Sequence, residues 1–327
     1  MTAAGIKFDQ KATGLLASCE RKLQSSPLFI SLIIATFILF GAVIVFNGLA
    51  TNPKISGGLF IHGTSNVSQM YPLNITPAGW TFIIWSIIYI LQLIWNIYSL
   101  ALLCRSTSQG PAYLNPIVLS PAYFIFFSLS SALNITWLFL WDRLLFLESF
   151  IILTGIAVTV WLSVAVASTR LVMFKDTLTN QGRKTDIIFL QVVVINGLAM
   201  YATWTTIASS INLAEFLVYT LSQPVVNETA CIISLGILSF IVVLYISLDV
   251  TVLKSYTEYS LTPYAVVIWA LTGLLVKNYD QNNISSIISV ALLAAVSLAF
   301  VIKLGITFYN SSTAKAMYKR ITGSQQV

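Results

Sequence analysis

Residues 28–50 read LFISLIIATFILFGAVIVFNGLA, an uncharged and almost wholly apolar run. A bilayer's hydrocarbon core takes roughly 20 such residues per helical crossing, so this stretch is a membrane span. Comparable runs recur near 78–104, 117–141, 144–168, 187–213, 229–248, 261–276 and 284–308 of the 327-residue chain. With 57% hydrophobic and 9% charged residues, there is too little polar material to clothe a water-soluble surface. The runs are continuous and do not alternate, which excludes a β-barrel. Lipid requires each backbone polar group to be paired within its own segment, so the spans are helices. The sequence therefore predicts an all-α polytopic membrane helix bundle of about eight transmembrane helices.

No linker separates independent cores, so the bundle is one unit with two short tails. The tail 1–27, with Lys7, Asp9, Lys11, Glu20, Arg21 and Lys22, is too polar for a cleavable signal peptide. The first span is thus expected to be an uncleaved anchor. Connections are short except 51–77, read as a structured outer loop, and 169–186, read as a solvated basic loop. Thr76-Pro77 and Thr262-Pro263 are expected to open the second and seventh spans as N-cap and first-turn proline. Residues 309–327 form a polar tail expected to fray.

The net charge of +6 does not point to nucleic acid, because the basic residues sort by side of the membrane. With the N-terminus cytoplasmic, one side holds Lys7, Lys11, Arg21, Lys22, Arg105, Arg170, Lys175, Arg183, Lys184, Lys254, Lys315, Lys319 and Arg320. The other holds Lys54, Arg143 and Lys277, and Lys303 is expected to snorkel from the last helix. Such a bias places both termini in the cytoplasm. The N-x-S/T acceptors Asn66, Asn74, Asn227 and Asn283 fall in the opposite loops. Their placement favours a plasma membrane or endomembrane, with the mitochondrial outer membrane as the alternative. Cys19, Cys104 and Cys231 form no zinc or redox spacing.

Three spans carry polar and aromatic residues at helical spacing. Trp85, Tyr89, Gln92 and Asn96 share one face of the second span. Ser130, Asn134, Trp137 and Trp141 repeat that spacing in the third; Trp204, Ala208 and Asn212 form another stripe in the fifth, with Tyr201 and Thr205 alongside. An amide facing lipid has no partner, so Gln92, Asn134, Asn196 and Asn212 should point inward. Any one of these residues is explained by helix packing, and Trp80, Trp141 and Trp161 by an interfacial belt. Three stripes on three helices instead predict a shared aromatic-lined cavity for a flat apolar ligand.

The chemistry that is missing narrows the function. His62, the sole histidine, lies in a loop. Glu148 is read as the one acidic residue set inside a span, near Asp142 and Arg143, and as an interfacial ion pair. Proton and ion relays generally use several buried ionisable groups, which sets ion-coupled transport behind ligand binding. No nucleotide loop, nucleophile motif or metal spacing occurs, so no catalytic or metal residues are assigned and the chain is read as a non-enzyme.

At these stripes the chain resembles the TspO/MBR family of tryptophan-rich sensory and translocator proteins, in a longer form with extra helices. Thr76-Pro77-Ala78-Gly79-Trp80 through Tyr89 resembles the family's loop-to-second-helix signature. Asn134-Ile135-Thr136-Trp137 is similar to its third-helix motif, and Tyr201-Ala202-Thr203-Trp204 with Ala208 and Asn212 to its fifth. Val267-Ile268-Trp269-Ala270-Leu271-Thr272-Gly273 is similar to a W-A-x-x-G stretch of long members. One proline, Pro77, stands for the family's pair, and Met200 replaces the proline before the fifth-helix tyrosine.

The resemblance implies a five-helix ligand-binding core over 28–213 and three added helices over 214–308. It also implies a porphyrin, haem or sterol ligand. The pocket positions it implies are Trp85, Tyr89, Asn134, Trp137, Tyr201, Trp204, Ala208 and Asn212. The expected partners are the lipid bilayer and that small hydrophobic ligand, with a homodimer left open. The alternative functions are a secondary transporter of a small polar solute and a receptor or scaffold without a tetrapyrrole ligand.

Overall fold

The computed structural model describes the backbone of residues 27–323 and side chains through Asn310. The predicted tail 1–27, apart from Pro27, lies outside the described residues, as does Cys19. Helix α1 spans Pro27–Thr51 and α2, a short helix in the following loop, Thr64–Met70. A 3₁₀ segment at Gly79–Ile83 leads into α3, Ile84–Cys104. A small antiparallel pair, β1 Ser106–Thr107 and β2 Gly110–Pro111, turns the chain towards α4, Pro121–Asp142. Then come α5, Phe146–Asn180, and a rod made of α6, Lys184–Phe189, a π-helix, Leu190–Ile195, and α7, Asn196–Tyr219. Helices α8, Asn227–Val250, α9, Lys254–Thr257, α10, Thr262–Asn278, and α11, Ile284–Gly323, complete the chain.

Among the described residues, seven helices are long and apolar enough to cross a membrane. The seventh expected span, α10, has 17 residues and reaches about 25 Å at 1.5 Å per residue. It is about one turn short of a ~30 Å hydrocarbon core. Its N-terminus docks partway along the fifth rod, where the Asn196 carboxamide oxygen accepts from Leu261 N at 3.0 Å and Thr262 N at 3.2 Å. Thr262 does not cap its own helix as expected; its hydroxyl donates to Asn196 O at 2.8 Å. Thr76 likewise closes the turn before the second span, accepting from Leu73 N, and the helix opens at Gly79, two residues past Pro77.

Two other boundaries differ from expectation. The basic stretch 169–186 is largely helical, because α5 runs on to Asn180. Nothing between Gly155 and Gly182 breaks a helix, and the chain turns only where Gly182 takes a positive φ of 73°. Helix α11 likewise continues through Gly323, where a fraying tail was expected. The loop 51–77 is structured as expected. Asp142, buried at the end of α4, accepts from Ile61 N at 2.9 Å and His62 N at 2.6 Å and pins the loop across the bundle end.

Packing follows from small residues and fitted amides. Helix α5 lies along α4 and α7, α1 along α4 and α3, and α8 and α10 flank α7 with α11 behind them. The W-A-x-x-G stretch of α10 clasps the start of the second span. Trp269 Nε1 donates to Thr81 O at 3.1 Å, Ala78 N donates to Gly273 O at 3.0 Å, and Asn278 Nδ2 donates to Thr76 O at 2.8 Å. A Cβ at Gly273 would sit 1.9 Å from Thr81 Cγ2, so glycine alone permits this approach.

Charges inside the bundle differ from expectation. Glu148 is exposed on the first turn of α5. Two other carboxyls, Glu215 and Asp249, are wholly buried within membrane-crossing helices. Lys303 does not snorkel: its Nζ donates to Asp249 Oδ1 at 2.9 Å, and Tyr264 Oη donates to Asp249 Oδ2 at 2.5 Å. Both acids fell one or two residues past the expected span ends, and both spans run longer than their apolar runs.

Candidate functional site

The three stripes meet. Trp85 and Tyr89 on α3 stack at 5.6 Å between ring centroids. Trp85 also meets Tyr201 edge-on at 6.0 Å and Trp204 at 6.3 Å, both on α7. On α4, Trp137 Nε1 donates to Asn212 Oδ1 at 3.2 Å, and Asn134 Nδ2 approaches Tyr201 Oη at 3.4 Å. Ala208 lies on the same face of α7 and lines the cleft between these rings. The four predicted amides Gln92, Asn134, Asn196 and Asn212 are all buried, as desolvation requires.

A residue the stripes did not include ties them together. Asn47 of α1 donates to Asn134 Oδ1 at 2.8 Å and accepts from Tyr89 Oη at 2.8 Å. Tyr89, Asn47, Asn134 and Tyr201 thus form one hydrogen-bonded chain across four helices. The sequence held a signal for it, since Asn47 is the one carboxamide in the 28–50 run. Gln92 and Asn96 belong to a different contact. Gln92 accepts from Trp95 Nε1 at 2.5 Å and donates to Gly197 O at 3.0 Å, fastening α3 to α7 below the cleft.

At the other end the cleft runs to Glu215, whose Oε2 accepts from Asn212 Nδ2 at 3.0 Å. Trp141 was expected in an interfacial belt but is buried here. It stacks on Trp137 at 5.6 Å and donates to Thr64 O at 3.1 Å. Thr64 and Ser68 of α2 line the mouth, so the pinned loop covers the cleft as a lid. Two polar atoms in the wall have no partner: Trp204 Nε1 and Glu215 Oε1. The enclosed space is about 50 Å³, far below the ~300–1,000 Å³ of small-molecule pockets. The rings and amides fill the centre themselves, and a flat ligand enters only if they part.

Lipid-facing helices, buried amides and a ringed cleft under a lid define a polytopic helical membrane protein with an internal aromatic–amide site. A family model described as TSPO-like protein matches residues 33–304, and the chain belongs to that family. No curated protein and no solved structure matches it.

Proposed function

We propose that the chain binds a flat hydrophobic ligand of the porphyrin, haem or sterol class in the cleft between α3, α4 and α7, for sensing or transport. The observation that carries this reading is the pair of buried, unpartnered polar atoms in the cleft wall, Trp204 Nε1 and Glu215 Oε1. A buried polar group without a partner costs about 1–3 kcal/mol, and a ligand or water that supplies the missing bonds recovers it. Trp204 and Glu215 are eleven residues apart on α7, about 16 Å along the axis, a separation suited to an elongated ring system. Trp85, Tyr89, Trp137, Tyr201 and Trp204 supply its faces, Asn134 and Asn212 its polar contacts, and Ala208 the room beside them. The lid opens by releasing the Trp141–Thr64 bond and the Asp142 clamp.

In this reading residues 28–213 form the binding core and 214–308 a brace behind α7. The protein sits in a plasma membrane or endomembrane with both termini cytoplasmic. The buried Asp249–Lys303 pair keeps a transporter of a small polar solute as the second reading, since intramembrane charges mark ion pathways.

Tryptophan quenching by protoporphyrin, and energy transfer to a fluorescent sterol, in detergent-purified protein test the first reading. Saturable binding is expected of at least one ligand, weakened about tenfold or more in Trp137→Ala and Trp204→Ala, the loss of about 1.4 kcal/mol or more. Absence of a signal with either ligand, or affinities unchanged in both variants, rejects it.

A further inference from the structure

A second cavity, much larger than the cleft, opens at the end of the bundle that carries the basic residues. It encloses about 640 Å³ between the end of α5, the π-helix and the 255–262 connection. That volume falls in the ~300–1,000 Å³ range of ligand sites. Its floor is closed by Asn196, whose Nδ2 donates to Gln191 O at 2.8 Å and Tyr259 O at 2.9 Å. The π-helix forms one wall, and π-turns concentrate at functional sites.

We propose that this recess binds a single glycerophospholipid. Val172, Ile188 and Val192 line it and are 40%, 63% and 59% exposed on membrane-crossing helices, so it opens sideways to the hydrocarbon. That is the direction from which an acyl chain enters. Two donors stand above these aliphatic walls. Gln191 Nε2 is buried with no acceptor. Lys175, at the rim, has no carboxylate partner among the described residues; its ammonium lies 6.0 Å from the Tyr259 ring.

Glu258 also borders the recess, with its Oε1 accepting from Asn310 Nδ2 at 3.3 Å. A glycerophospholipid meets these groups together: its phosphate accepts from Lys175, an ester carbonyl from Gln191 Nε2, and its chain covers the aliphatic wall. Free phosphate meets only the first requirement and diacylglycerol lacks it. Tyr256 and Tyr259 line the same recess, and tyrosine is enriched at the head-group boundary of membrane proteins.

Native mass spectrometry of the full chain in detergent, titrated with dioleoylphosphatidylcholine or dioleoylglycerol, tests the assignment. One phosphatidylcholine per chain is expected to survive gentle activation, with dioleoylglycerol held at least about tenfold more weakly, the worth of one charge-assisted bond. Lys175→Ala is expected to lower phosphatidylcholine retention to the dioleoylglycerol level, Lys175→Arg to keep it, and Val192→Trp to exclude both by filling the recess. Equal retention of the two lipids, or retention indifferent to both Lys175→Ala and Val192→Trp, marks the lipid as annular only and overturns the proposal. Lys175 borders the recess and does not line the cleft, so porphyrin or sterol binding by Lys175→Ala shows separately whether the cleft is intact.

Discussion

Asp249→Leu is expected to destabilise the protein by about 3–5 kcal/mol, the cost of leaving one member of a buried ion pair without its counter-charge. Asp249 is wholly buried and Lys303 is 7% exposed, so neither charge reaches water in the fold. Removing the carboxylate strands the Lys303 ammonium and the Tyr264 hydroxyl, which both donate to it. Replacing both charges, as Asp249→Leu with Lys303→Met, is expected to restore most of the loss, because an apolar pair of similar volume has no desolvation penalty. Adding Tyr264→Phe removes the last unpaired group. Equilibrium unfolding in mixed micelles reads these differences. A single variant as stable as the parent contradicts the burial and pairing described.

The second large effect is expected at Asn196. Its carboxamide donates to Gln191 O and Tyr259 O and accepts from Leu261 N and Thr262 N, thereby capping α10 from a neighbouring helix. Asn196→Leu keeps roughly the same volume but leaves these backbone groups unpaired. Unsatisfied buried groups cost about 1–3 kcal/mol each and a lost N-cap about 1 kcal/mol. Local rearrangement recovers part of this, leaving a net loss of about 3 kcal/mol. Hydrogen exchange locates it: the Leu261 and Thr262 amides should lose protection before those of α3 or α4. Uniform loss across the bundle, or none, contradicts a local capping role.

The sequence carried the helical bundle because hydrocarbon leaves few alternatives, and uninterrupted apolar runs declare themselves. The cleft was legible for a related reason. Trp85, Tyr89, Asn134, Trp137, Tyr201, Trp204, Ala208 and Asn212 recur at spacings that hold one helical face, and a buried amide must find a partner. What hydropathy could not give was the helix ends. Glu215 and Asp249 lie just past the apolar runs 187–213 and 229–248, although their helices continue and bury them. The same blindness turned the helical end of α5 into a loop. Trp141 shows a different limit, since a tryptophan near a span end serves a belt or a lid contact equally well, and only the position of Thr64 decides. Partners far apart in the chain, such as Asn47 with Asn134 or Asn196 with Leu261, leave no periodic trace.

Ligand binding in the cleft requires that the aromatic and amide faces of α3, α4 and α7 part to admit a ligand. Photo-cross-linking with a diazirine-bearing sterol and a diazirine-bearing porphyrin, followed by peptide mapping, tests that most directly. Labels are expected on peptides containing Trp137 and Trp141 and on those spanning Tyr201 to Glu215, displaced by an excess of unlabelled ligand. Labelling confined to lipid-exposed side chains such as Ile90, Ile125 or Val158, and indifferent to competitor, would show that the centre stays closed.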